Sequence, residues 1–207
     1  MDVKTALIVI DMQKGFINGA SAQCIRGAKA TVPACAAVIN HCRKRGIPVF
    51  FVTRRYRADG SDVEHTRFES WREGGRAMSP GCPEEISAHM PEEFGLCARD
   101  YRIIKPRYSA FFHTELDLIL RRLGVNTIVL AGTTTPNCIR TTCYDGISLE
   151  YNVAVLSDCT SSNTEEIQQS NLRDMANVGA QIMTSEDFIS GREIRDTVNL
   201  ARENVER

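Results

Sequence analysis

Short apolar runs alternate with helical stripes along this chain, and that alternation restricts the possible fold more than any other feature. Residues 6–10 (ALIVI), 47–53 (IPVFFVT) and 128–131 (IVLA) are continuous apolar stretches of strand length, as expected of strands covered on both faces. Residues 101–104 (YRII), 153–156 (VAVL) and 180–183 (AQIM) are shorter runs of the same kind. Between the first two, Val32, Cys35, Ala36, Val38, Ile39 and Cys42 fall on one helical stripe that Gly46 is placed to stop. Leu116, Ile119, Leu120 and Leu123 make a second stripe, with Thr114-x-x-Asp117 read as its capping box. Ile139, Cys143 and Ile147 begin a third, and residues 164–178 read as another helix. Helices at this spacing between buried strands imply right-handed crossovers, hence an α/β chain on a parallel sheet.

A length of 207 residues fits one domain, taken as residues 1–190, with the charged segment 191–207 as a surface helix or arm. Lys plus Arg number 25 against 26 for Asp plus Glu. A balance that close leaves no basic field for nucleic acid or an anionic membrane, so a small molecule is the expected partner. No run approaches the roughly 18 apolar residues of a membrane span. The apolar run near the N-terminus is too short for a signal peptide and is broken by Asp11. The eight cysteines are therefore read as free thiols in a reducing, cytoplasmic setting. No C-x-x-C occurs and the four histidines are scattered, so no metal and no cofactor are expected.

Three residues with chemistry follow three separate predicted strands at their carboxyl ends, where open α/β sheets bind ligands. Asp11 follows the first; it either caps the turn or does chemistry. Lys105 follows residues 101–104, a position also open to any surface lysine. Cys138 follows residues 128–131, with Gly132 ending the strand and residues 133–137 starting a helix. Cys138 reads either as a small buried hydrophobe or as an exposed nucleophile in a first helical turn. There unpaired N–H groups and the macrodipole favour a thiolate. Arg54, Arg55 and Arg57 leave the end of the second strand, either as a solvated cluster or toward an anionic substrate group. Residues 58–100 lose periodicity and read as a long binding loop or lid.

Gly132-x-x-Thr135-x-x-Cys138 after an apolar strand resembles the nucleophile motif of the isochorismatase-like cysteine hydrolases. Asp11-Met12-Gln13-x-x-Phe16 resembles that family's first-strand motif with the catalytic aspartate, and KPRYSAFFHTELD from Lys105 its lysine segment. The resemblance covers roughly residues 5 to 185. It implies a three-layer α/β/α sandwich around a six-stranded parallel sheet. It also implies an Asp11, Lys105 and Cys138 triad for C–N hydrolysis through a thioester, with Lys105 keeping both partners ionised. A cis peptide between Thr133 and Thr134 is implied too, with an oxyanion hole from the N–H groups of Thr134 and Cys138. Phe16 and Arg54 are the candidate substrate contacts, and a homo-oligomer is implied.

Some positions depart from relatives. Nicotinamidases of the family carry Asp-x-His and a further His as metal ligands where this chain has Arg54-Arg55-Tyr56. Asp62 and His65 lie nearby without a third ligand. Isochorismatases proper cleave a vinyl ether and lack the cysteine, so Cys138 points to an amide, ureide or carbamoyl substrate. Glu150 replaces a usual glycine, a change expected to affect a turn only. The competing readings are ether hydrolysis of the isochorismate type and a catalytically silent binding protein on the same fold.

Overall fold

The structure is a computed structural model that describes residues 4–205. In chain order the elements are β1 (Thr5–Ile10), α1 (Lys14–Ile17), α2 (Val32–Lys44), β2 (Val49–Thr53), α3 (Phe68–Glu73), β3 (Tyr101–Ile104) and α4 (Leu116–Arg122). There follow β4 (Thr127–Thr133), a π-helical turn (Thr135–Ile139), α5 (Arg140–Ser148), β5 (Asn152–Ser161), α6 (Glu165–Asn177), β6 (Gln181–Met183), α7 (Ser185–Ile189) and α8 (Thr197–Val205). The six strands form one parallel sheet in the order β3-β2-β1-β4-β5-β6.

The apolar runs are continuous because helices cover both sides of the sheet. In β1, Ala6, Ile8 and Ile10 pack with Leu116 and Leu120 of α4, Cys143 of α5 and Leu172 and Met175 of α6. Leu7 and Val9 point to the other face, against Val32, Cys35, Val38 and Ile39 of α2 and Phe188 of α7. Burying each large aliphatic side chain in this way contributes roughly 1.5–3 kcal/mol. The three-layer α/β/α architecture follows, and the ends of β1 and β4 are brought side by side at its centre.

Several boundaries differ from the sequence reading. β4 does not stop at Gly132 but runs to Thr133. Gly132 has φ +117°, and a Cβ there would sit 2.0 Å from the carbonyl oxygen of Ile10. Glycine is what lets β4 lie this close to the end of β1. β5 runs to Ser161, well past its apolar stretch, with a register shift against β4 between Leu130 and Gly132. Thr114 and Asp117 form no capping box: Thr114 Oγ1 donates to Ala110 O, and Asp117 Oδ1 accepts from the Tyr151 hydroxyl at 2.8 Å. Glu150 does occupy a turn, at φ 65°.

The segment 58–100 is more ordered than its sequence suggests. It carries α3 and closes a small core of its own, with Trp71, Met78, Tyr56 and Ile86 packed on Phe16. The segment after residue 190 is anchored as well. Ile194 is buried in the α2-side core, and Asn152 Oδ1 accepts from the N–H groups of Thr197 and Val198 at the start of α8. Residues 206–207 lie outside the described part of the chain. Among the described residues no helix is long and apolar enough to cross a membrane.

Candidate active site

Asp11 directly follows β1, with its backbone at φ 53° and its N–H bonded to Val52 O at 2.9 Å. That conformation is uncommon for a residue with a Cβ, and here the surroundings hold it. Gln13, fully buried, clamps the turn to the end of β2. Its Nε2 donates to Arg54 O at 2.7 Å and Ala88 O at 3.0 Å, and its Oε1 accepts from Arg54 N at 2.7 Å. Nothing in the residue type pointed to this clamp, although Gln13 lies inside the first-strand motif.

Lys105 leaves the edge strand β3, its N–H bonded to Thr53 O, and turns inward so that none of its side chain is exposed. Its Nζ lies 2.8 Å from Asp11 Oδ2 and 3.5 Å from Cys138 Sγ, and donates to Arg107 O at 3.0 Å. Asp11, Lys105 and Cys138 thus meet at the carboxyl edge of the sheet. Asp11 Oδ1 is buried and, among the described residues, accepts no hydrogen bond.

Cys138 is the fourth residue of the π-helical turn rather than part of a regular α-helical first turn. Thr142 Oγ1 donates to its carbonyl at 2.7 Å and accepts from Ala110 N at 2.9 Å, tying the turn to the loop after Lys105. The peptide between Thr133 and Thr134 is cis. Thr134 and Thr135 hydroxyls both donate to Ser161 O, at 3.2 and 3.0 Å, so the extra length of β5 supports the nucleophile turn.

Two expectations for Cys138 need correction. It is not exposed: only 6% of its surface is accessible, and it packs in the core with Ile139 and Ala110. Nor is the thiolate favoured at rest. Burial pushes the thiol up to about 11, and the pull of Lys105 only partly offsets that, with Asp11 acting in the same direction as burial.

Above these groups is a cavity of about 290 Å³, lined by Asp11, Phe16, Arg67, Thr134, Asn137 and Cys138 among others. Phe16 and Thr134 therefore face the same space as the thiol. Arg54 does not line it, and it is not solvated either. Its side chain is 1% exposed, its Nη1 lies 2.6 Å from Glu64 Oε1 and donates to Pro106 O at 2.6 Å, and its guanidinium lies near the Tyr56 and Tyr108 rings. Burial works against the Glu64 charge, but Arg54 and the Tyr56 hydroxyl outweigh it and hold Glu64 below its ordinary value of 4.5. The stability tied to that charge is present above pH 4.5 and lost as pH falls through the depressed value. Arg54→Met is expected to cost about 3–5 kcal/mol by leaving Glu64 buried without its cation. Urea unfolding at pH 7 checks this, with the loss shrinking as the pH is lowered past the Glu64 titration.

Asp62 and His65 lie outside the lining of this cavity. Asp62 Oδ1 accepts from Arg57 N at 2.9 Å, and His65 is exposed. Among the described residues no three His, Cys, Asp or Glu side chains come together as a ligand set.

Comparison with known families identifies the frame. The isochorismatase domain matches residues 5–187. The chain belongs to the isochorismatase family. Among solved structures, an isochorismatase family protein from Desulfovibrio vulgaris is 36% identical with a TM-score of 0.85, covering 91% of this chain and 98% of that one. N-carbamoylsarcosine amidase from Thermoplasma acidophilum is 29% identical with a TM-score of 0.72, covering 88% and 97%. A protein of Arabidopsis thaliana described as a probable inactive nicotinamidase is 38% identical over 186 residues, 89% of this chain and 94% of the relative. In this isochorismatase-family hydrolase, Arg67 and Gln23 of the cavity wall carried no sequence signal, since both lie in stretches without periodicity.

Proposed function

We propose that the protein is a cysteine hydrolase that cleaves the C–N bond of a small amide, ureide or carbamoyl compound through a thioester on Cys138. The observation that carries this reading is the meeting of Cys138 Sγ, Lys105 Nζ and a buried Asp11 with one unpartnered oxygen at the floor of a small cavity. Its structural likeness to an amidase supports the choice of bond.

Because burial keeps Cys138 a thiol at rest, the proton has to leave as the sulfur attacks. Asp11 takes it, Sγ bonds to the carbonyl carbon, and the backbone N–H groups of Thr134 and Cys138 receive the charge that develops on oxygen. One such donor is typically worth about 3–4 kcal/mol. Asp11 then passes the proton to the leaving nitrogen as the C–N bond breaks, leaving a thioester. Water enters, Asp11 takes one of its protons as the water oxygen bonds to the carbonyl carbon, and the C–S bond then breaks, with Asp11 returning that proton to Sγ and the acid departing. Lys105 holds Asp11 in place and offsets the negative charge shared between carboxylate and sulfur.

Nicotinamide is not the proposed substrate, since residues 54–56 supply none of the metal ligands that family nicotinamidases use at that point. Activity is therefore expected to survive exhaustive chelation, measured as ammonia release from a panel of small amides and ureides. Loss of rate on chelation, restored by zinc or iron, contradicts the metal-free mechanism. Release of product from none of the panel contradicts C–N hydrolysis and returns the ether and binding readings.

A further inference from the structure

Among the described residues, two charged side chains line the cavity above Cys138, Asp11 and Arg67. Asp11 is met by Lys105. Arg67 is not met by anything comparable: among the described residues its guanidinium makes no ion pair and no hydrogen bond. The acid nearest in sequence, Glu64, is already engaged, with Oε1 2.6 Å from Arg54 and Oε2 accepting from the Tyr56 hydroxyl at 3.0 Å.

The arginine is nevertheless held in place. Its guanidinium lies over the Tyr108 ring, 5.1 Å from the centroid, which fixes the side chain without using its N–H donors. Its backbone N–H bonds to Glu64 O at 2.8 Å, and its carbonyl accepts from the N–H of buried Trp71 at 2.9 Å. Beside it in the cavity wall, Gln23 Oε1 is buried and without a partner among the described residues. A guanidinium fixed on an aromatic face with all donors free is preorganised for a planar bidentate anion. An unpartnered carboxamide oxygen beside it suits the N–H of an amide or ureide. Arg67 is half-buried, so a neutral substrate would leave its guanidinium to water alone and gain nothing from its charge, while a cationic one would be repelled by it.

We propose that Arg67 is the specificity-determining residue of this cavity and that the substrate carries a carboxylate close to its scissile amide or ureide, an inference that rests on the C–N hydrolysis proposed above. The cavity's volume, at the small end of ligand sites, limits that substrate to a compact acid such as an N-carbamoyl or N-acyl amino acid.

The test is calorimetry on Cys138→Ala protein, which does not turn over, with N-carbamoylglycine and its neutral counterpart N-carbamoylglycinamide as probes. N-carbamoylglycine is expected to bind at least about 10-fold more tightly, the range for hydrogen bonds to a charged group. Arg67→Gln in the same background should reduce that preference to less than about twofold, and Arg67→Lys should retain part of it. Equal affinity for the two probes, or a preference that survives Arg67→Gln, overturns the assignment. Failure of the underlying reading shows separately, as no product from any C–N substrate with the intact protein, because the binding comparison needs no turnover.

Discussion

Cys138→Ala is expected to lower kcat by at least about 10⁴-fold, the loss seen when the nucleophile of a coupled catalytic set is removed. Measured as ammonia release under saturating substrate, that effect should far exceed the effect on stability. The stability loss is not zero, however, because Cys138 is packed in the core and not standing in solvent. Deleting one buried sulfur should cost about 1 kcal/mol, or a melting shift of about 2–4 °C for a chain of this size. Retained turnover moves the chemistry elsewhere. A collapse of the fold assigns Cys138 a packing role instead.

The second large effect is expected at Asp11, where activity and stability fall together. In the proposed mechanism Asp11→Asn removes the base for the first step and for the water of the second, so kcat should drop about 10²–10⁴-fold. It also strips Lys105, no part of which is exposed, of its carboxylate partner. Leaving a buried ammonium unpaired typically costs about 3–5 kcal/mol, which chemical denaturation would read directly. With the Asp11 charge gone and Lys105 still in place, the Cys138 thiol should ionise more readily and alkylate faster with iodoacetamide, even as turnover falls. Normal turnover, or alkylation no faster than in the unaltered protein, contradicts the role given to Asp11.

The frame of this molecule was legible because its central strands are buried on both faces. β1, β2 and β4 had to be continuously apolar, and strand-end positions then singled out Asp11, Lys105 and Cys138 as side chains that one edge of a parallel sheet brings together. What failed depended on partners far away in sequence. Gly132 looked like a strand end, yet it is required within β4 by the backbone of Ile10. The last residues of β5 are polar because they serve the nucleophile turn: Ser161 O takes two hydroxyls and Ser161 Oγ donates to Thr133. Arg54 could not be told from its exposed neighbours Arg55 and Arg57, because its burial is set by Glu64, Tyr56 and Pro106. The segment carrying Arg67 shows no period because it packs around Trp71 and not against the sheet.

The thiol of Cys138 illustrates how magnitude decides between two effects that sequence alone cannot weigh. Its place after a strand and before a helix favoured a thiolate, and Lys105 at 3.5 Å adds to that. Burial outweighs both and leaves a protonated sulfur. The proposed mechanism therefore assigns Asp11 the role of base in the attack itself, which would make the chemistry sensitive to the loss of either partner.

The central claim is a covalent bond between substrate and Cys138, and mass spectrometry of protein quenched during turnover tests it most directly. With an accepted C–N substrate, the peptide containing Cys138 should gain the mass of the acyl or carbamoyl fragment, and Asp11→Asn should change how much accumulates. If no adduct can be trapped and Cys138→Ser turns the same substrate over at the normal rate, the thioester mechanism is wrong.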